Sequence, residues 1–257
     1  MHIVACYKIV PEDQDIAVNA DRTLDLAHAE PRISLYDLNA VEAAVQLAAQ
    51  CGESGAVTAL SVGGRLLENS KARKDILSRG PDRLTLVVDP SLEHALPHEI
   101  ARALAGALLR TEFDLVLCGE GSGDLYSQQV GLLAGELLGV PAINGVRSVT
   151  PGDGHVVVER VLEHEVEVLR IPLPAVLMLC ADCNEPRIPG MKALLAAGKK
   201  PVTVLALPDV LSSREPERAH LASVLAPEQR DRRHVLLEGE SDENLATFAQ
   251  ALRKALN

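Results

Sequence analysis

The sequence predicts an α/β fold: a doubly wound, mostly parallel sheet with helices on both faces, an antiparallel strand pair, and a C-terminal arm with a helix. Three observations carry this. Short apolar runs alternate with helical patterns over the first 140 of 257 residues, which is the grammar of βαβ units. Apolar residues make up 47% of the chain but aromatic residues only 2%, so the core is built from Val, Leu, Ile and Ala, as suits parallel strands buried under helices. After Pro141 the pattern changes, and two alternating runs separated by Glu163-His164 read as an antiparallel pair.

The elements follow in order. Residues 1–7 form a strand ending at Lys8, and a polar stretch rich in Asp and Glu comes next. Residues 38–49 form a strong helix, with Asp37 near its start where a carboxylate favours the helix N-terminus. A strand over 56–62 runs into Gly63-Gly64, and a helix over 68–78 is broken by Arg79-Gly80-Pro81. A strand over 84–88, a helix over 98–110 and a strand over 113–118 follow, then a glycine-rich loop and a helix over 127–138. The antiparallel pair covers 156–162 and 165–171, and Pro172-Leu-Pro174 leads into a buried run over 175–180. A polar, proline-bearing loop over 184–190, a short helical stretch and a strand over 202–207 complete the body. Residues 208–233 are polar and weakly patterned, an extended arm. The final helix, 241–257, places Leu245, Phe248, Ala249, Leu252 and Leu256 on one face.

Composition excludes several classes. A formal charge of −11 and the scarcity of aromatic residues argue against a phosphate-tracking or base-stacking nucleic-acid surface. No run approaches the roughly 18 apolar residues of a membrane span, so no direct membrane insertion is expected. The start lacks the basic and apolar regions of a signal peptide. Five irregularly spaced cysteines suggest a reducing compartment, and a cytoplasmic protein is expected.

The densest signal is Gly119-Glu-Gly-Ser-Gly-Asp124 between a strand and a helix. Three glycines in five positions let backbone N–H groups approach a ligand, and a helix start adds unpaired donors and a positive dipole end. The loop lacks the Lys-Ser/Thr ending of a P-loop and the dinucleotide fingerprint spacing, so it reads as a nucleotide seat without a catalyst.

Several stretches together resemble the β subunit of electron transfer flavoproteins. They are Ile3-Val-Ala-Cys-Tyr-Lys8, Asn39-Ala-Val-Glu-Ala-Ala44, Ser61-Val-Gly-Gly64, Val158-Glu-Arg160, Pro172-Leu-Pro-Ala-Val176, and Asn184-Glu-Pro-Arg187 followed by Met191-Lys192 and Lys199-Lys200. Other strings are similar to the bacterial branch linked to carnitine reduction and nitrogen fixation: Pro11-Glu-Asp-Gln-Asp-Ile16, Tyr36-Asp-Leu-Asn-Ala40, Asp75-Ile-Leu-Ser-Arg-Gly-Pro81 and Gly119-Glu-Gly-Ser-Gly-Asp-Leu-Tyr126. The resemblance implies a heterodimer whose α subunit carries the electron-transferring FAD, while this chain holds AMP or a second FAD. It implies exchange of electrons with an acyl-CoA-type or carnitine-related dehydrogenase and a quinone oxidoreductase. A nucleotide-binding domain over 1–207 is expected, and the apolar face of the last helix has the arm and helix of 208–257 packing on the partner subunit, or alternatively back onto their own domain.

Carried over by the resemblance, the nucleotide loop covers Gly119, Gly121, Ser122, Gly123, Asp124, Ser127, Gln128, Gln129 and Val130. Backbone around Gly121–Gly123 is expected at phosphate, and Asp124 braces the loop, contacts ribose or caps the helix. Cys6 and Val62 are expected to contact the nucleotide through backbone atoms, the Cys6 side chain being a small core hydrophobe. Ser34, Tyr36 and Asp37 form a further nucleotide-contacting turn, although relatives carry Asn-Pro there. The partner-recognition loop supplies Asn184, Pro186, Arg187, Ile188, Met191, Lys199 and Lys200, with Met191 as a flexible apolar anchor and the lysines as steering charges. Glu159 and Arg160 fall near the expected subunit interface, and Val161 stands where relatives are often acidic.

Cys180-Ala-Asp-Cys183 has no second pair at zinc spacing, and on a continuing strand its thiols point to opposite faces. The histidines form no catalytic set, so neither catalytic nor metal-ligating residues are expected. An ATP-using enzyme of the adenine-nucleotide-hydrolase type and a nucleotide-sensing module remain the alternatives.

Overall fold

The computed structural model describes residues 1–211, 219–228 and 234–256. The first half runs β1 (His2–Cys6), β2 (Ile9–Pro11), β3 (Ala17–Val18), β4 (Leu24–Asp25), β5 (Pro31–Ile33), α1 (Leu35–Gln50), β6 (Ala56–Gly63), α2 (Ser70–Ser78), β7 (Arg83–Val88), α3 (Pro97–Leu108), β8 (Leu115–Gly119) and α4 (Val130–Leu138). The second half adds β9 (Ala142–Pro151), β10 (His155–Val161), β11 (Val166–Pro172), β12 (Ala175–Leu179), α5 (Met191–Ala197), β13 (Val202–Leu205), α6 (Leu207–Val210) and α7 (Asp242–Leu256).

One sheet has the order β11-β10-β9-β12-β8-β1-β6-β7-β13. Every neighbouring pair from β9 to β13 is parallel, while β10 runs antiparallel between β9 and β11. Strands β8 and β12 are buried at every position, the pattern of parallel strands covered on both faces. One core layer packs Ala40, Val41, Ala44 and Leu47 of α1 and Ile76 of α2 against the sheet. The opposite layer is filled by Ala103, Leu104 and Ala107 of α3 together with Leu132 and Leu138 of α4. The sheet is doubly wound, as expected.

Strand β9 has no counterpart in the pattern reading, because Asn144-Gly145 interrupts its alternation. Leu177 pairs Ile143 but Leu179 pairs Val146, so β9 carries one extra residue as a bulge. Gly145 sits there at φ +68°. Two short pairs, β2 with β5 and β3 with β4, organise the polar stretch after Lys8. Helix α4 starts at Val130, not at residue 127, and it ends on Gly139 in the left-handed conformation. Strand β12 stops at Leu179 and Cys183 N–H donates to the Cys180 carbonyl (3.3 Å), so these cysteines lie on a turn rather than a continuing strand.

The expected arm over 208–233 lies partly outside the described residues, as does Asn257. Its described stretch runs beside the β3–β4 hairpin: Ala226 N–H donates to the Arg22 carbonyl (2.9 Å) and Arg22 pairs with Glu228 (3.0 Å). Helix α7 buries none of its residues, and Leu245, Phe248, Leu252 and Leu256 are all exposed. Among the described residues no helix is long and apolar enough to cross a membrane.

Candidate functional site

After β1 the sheet grows through β6 and β7, and the chain then returns to lay β8 on the other side of β1. Beyond the carboxyl ends of β1 and β8, helices leave in opposite directions and a crevice opens. That is where open α/β sheets bind ligands. A cleft that is partly open to solvent occupies this position.

Cys6 of β1, Cys118 of β8 and Met178 of β12 line the cleft and are themselves buried. Contact with the Cys118 thiol, together with burial, holds the Cys6 thiol protonated well above its ordinary range. It is therefore no ready nucleophile. One wall is apolar, formed by Ala95, Pro97, Ile100 and Leu104 at and before the first turns of α3. The other wall is the loop from Gly119 to Gln129. Tyr126 and Gln128 have φ +45° and +56°, a costly conformation for side-chain-bearing residues. Tyr126 N–H donates to the Ser122 carbonyl (3.1 Å), its hydroxyl donates to Glu120 (3.0 Å), and its ring lies beside Tyr36 with centroids 4.9 Å apart. A Cβ at Gly121 would stand 2.4 Å from the Tyr126 ring, so glycine is needed for the loop to fold on itself. The loop delivers the chain to the start of α4, where the Gln129 side chain makes no capping hydrogen bond. Val130 and Gly131, in that first turn, face the cleft.

Asp37, in the first turn of α1, joins the two strand ends. Its carboxylate accepts the Lys8 N–H (2.8 Å) and the Gly119 N–H (3.2 Å). Burial pushes its carboxyl up to about 7, against the lowering effect of those two amides. The folded chain thus holds this proton more tightly than the unfolded chain, whose Asp titrates near pH ~4. Stability is therefore lost as pH rises from about 4 to about 7, at about 1.4 kcal/mol for each unit of displacement, and is flat above. Asp37→Asn removes this slope. In urea titrations, the stability difference between wild type and variant should drift against wild type by a few kcal/mol between pH ~4 and ~8. Parallel curves would show that Asp37 titrates as an ordinary carboxyl.

Asp124 is held by Lys8 Nζ (2.6 Å) and accepts the Ser122 hydroxyl (2.6 Å). Burial opposes its charge, but the Lys8 ammonium and these hydrogen bonds keep its carboxyl below the usual range. It braces the loop, and its charge is neutralised beside the cleft.

Ten residues expected from the sequence border the cleft: Cys6, Asp37, Val62, Gly119, Gly121, Ser122, Ser127, Gln128, Gln129 and Val130. Four do not. Ser34 is fully buried, with a hydroxyl that has no hydrogen-bond partner, and Tyr36 makes a tilted ring contact with Tyr126. Gly123 and Asp124 are exposed and are not part of the lining. Sequence reasoning missed Lys8, the α3 wall and Met178. A lone cation directly after an apolar strand, in a chain with an acidic glycine loop, was the available signal for Lys8.

The loop over 184–190 contributes no residue to the lining of the cleft. Ile188 is 93% exposed and Met191 is 73% exposed. Asn184 and Arg187 turn inward to α1, and Pro186 is half-buried. Lys199 is exposed, but Lys200, expected as a steering charge, donates to the carbonyls of Leu77 (2.9 Å), Gly80 (3.3 Å) and Pro81 (2.6 Å). It satisfies the C-terminal end of α2. Among the described residues no His/Cys/Asp/Glu cluster could hold a metal ion.

A family model, described as the electron transfer flavoprotein domain, matches residues 23–210. That span is well over half of the chain and contains both the glycine loop and the loop bearing Met191.

Proposed function

Because the chain belongs to the electron transfer flavoprotein family, we propose that it is the β subunit of the heterodimer. In this reading it binds an adenine nucleotide, AMP or a second FAD, in the cleft between the ends of β1 and β8. The observation that carries the reading is the composition of that cleft: an apolar wall on α3 faces a glycine loop and an uncapped helix start. An adenine ring suits the apolar wall. A phosphate suits backbone N–H groups at the start of α4 and a nearby ammonium, Lys8. Asp124, paired with Lys8, does not repel it.

The electron-transferring FAD is held mainly by the α subunit, and the flavin alone supplies the redox chemistry. This chain's own residues bind, orient and dock. The sulfur-lined floor excludes water, Asp37 fixes the two strand ends, and the loop from Gly119 to Gln129 sets the seat. Ile188 and Met191 form an apolar tip for an acyl-CoA-type or carnitine-related dehydrogenase, with Lys199 as a rim charge that steers association. Electrons pass on to a quinone oxidoreductase. The work belongs in the cytoplasm, in the branch linked to carnitine reduction and nitrogen fixation.

Co-expression with the α subunit is expected to give a yellow heterodimer, and acid extraction should release an adenine nucleotide that chromatography identifies as AMP or FAD. Lys8→Met should lower the retained nucleotide about tenfold while flavin on the α subunit is unchanged, since one charge-assisted contact is worth about 1.5–3 kcal/mol. A colourless monomer that turns over ATP would instead favour an adenine-nucleotide-hydrolase-like enzyme.

A further inference from the structure

Three polar side chains lie buried on α1 within six residues, each committed to a different part of the molecule. Asp37 grips the amides of Lys8 and Gly119 at the cleft. Asn39 donates its amide to the Asn184 carbonyl (2.8 Å), and Asn184 donates its own to the Asn39 carbonyl (2.9 Å). Glu42, only 5% exposed, accepts the Arg187 backbone N–H (3.1 Å), Nε (2.7 Å) and Nη2 (2.9 Å), and also Gln46 Nε2 (2.7 Å). The Arg187 guanidinium, opposed by burial, holds the Glu42 carboxyl below its usual range.

Burying such groups is costly unless each is fully partnered, and here the partners are specific. A surface loop that carries exposed Ile188 and leads into exposed Met191, the first residue of α5, would be mobile if only its ends were tied. Instead, its base is clamped to the same helix that clamps the cleft. The intervening helix is backed by Ala40, Val41 and Ala44, all buried against the sheet, so its first two turns move as one body.

We propose that α1 is a strut between the nucleotide cleft and the docking loop. Filling the cleft fixes the strand ends that Asp37 grips and thereby stiffens the loop that Asn39 and Glu42 hold, so that a redox partner meets a preformed tip on the nucleotide-loaded chain. Asn39 and Glu42 are positioning residues; neither touches the nucleotide. The inference rests on the adenine-nucleotide reading of the cleft. Order in one segment is thus lent to another, and the coupling is reciprocal.

The test is hydrogen–deuterium exchange on the heterodimer freed of endogenous nucleotide, with AMP and FAD as separate probes. The segments followed are 119–130 and 184–192. The probe that occupies the cleft should slow exchange in both, by at least about fivefold at the Arg187 amide. Glu42→Gln should speed exchange of 184–192 and abolish its response to that probe, while 119–130 is still protected. The double variant Glu42→Gln/Arg187→Met, which removes both charges and leaves no buried carboxylate without its cation, should do the same. Protection of 119–130 with an unresponsive loop in wild type, or an undiminished loop response in either variant, overturns the strut and leaves the nucleotide reading standing. Failure of both AMP and FAD to protect 119–130 overturns both.

Discussion

Gly119→Ala is expected to destabilise the chain by about 1–3 kcal/mol, lowering its thermal midpoint by roughly 3–10 °C, and to empty the cleft of nucleotide. The added Cβ would stand 2.7 Å from Asp37 Oδ1 and 2.7 Å from both the carbonyl carbon and oxygen of Tyr36. Two of these three neighbours are backbone atoms at the start of α1, so no rotamer change relieves the contact. Either β8 or α1 must move, and the hydrogen bond from Gly119 to Asp37 lengthens with it. Gly123→Ala is the control: its Cβ meets only Val10 Cγ2, at 3.6 Å, an ordinary contact. Thermal melts and heat-released nucleotide from both variants decide the matter. Equal midpoints for Gly119→Ala and wild type would mean that the close packing of β8 on α1 has no bearing on the seat.

The second large effect concerns α7. Replacing Leu245, Phe248 and Leu252 by Asp in the full-length chain should leave its own thermal midpoint unchanged and weaken association with the α subunit by at least about two orders of magnitude. No residue of α7 is buried within this chain, so its apolar face contributes little to the stability of the chain itself. Fully burying each such side chain on a partner is worth about 1.5–3 kcal/mol, and a tenfold change in affinity takes about 1.4 kcal/mol. Gel filtration with the α subunit reads the result. Unweakened co-elution would place the subunit contact elsewhere, and a lowered midpoint would show that α7 packs on its own domain.

What could be read from the residue string was local or periodic. The 3.6-residue pattern of 38–49 located α1 to within a few positions, and the β-rich runs at 56–62 and 84–88 match β6 and β7 nearly residue for residue. The glycine loop was legible because glycines between an apolar strand and a helix have a local backbone reason to be there. Where local logic is incomplete, pattern and structure diverge. The helical pattern begins three residues before α4 because Tyr126 and Gln128 adopt left-handed conformations that no propensity would assign them. Strand β9 went unseen because its Asn-Gly resembles a turn, while its bulge is paid for by pairing on both sides.

By itself the sequence determined the class of core, the alternation of strands and helices, the position of the glycine loop and its family resemblance. These follow from side-chain volume, periodicity and backbone permissiveness, properties each residue carries into any context. Only the tertiary structure decided which distant groups meet. Lys8 pairs with Asp124 across 116 positions, Asp37 reaches Gly119 across 82, and Arg187 reaches Glu42 across 145. Those meetings depend on the chain's return to place β8 beside β1, and the order of strands in a sheet is a global outcome of packing that no local pattern encodes.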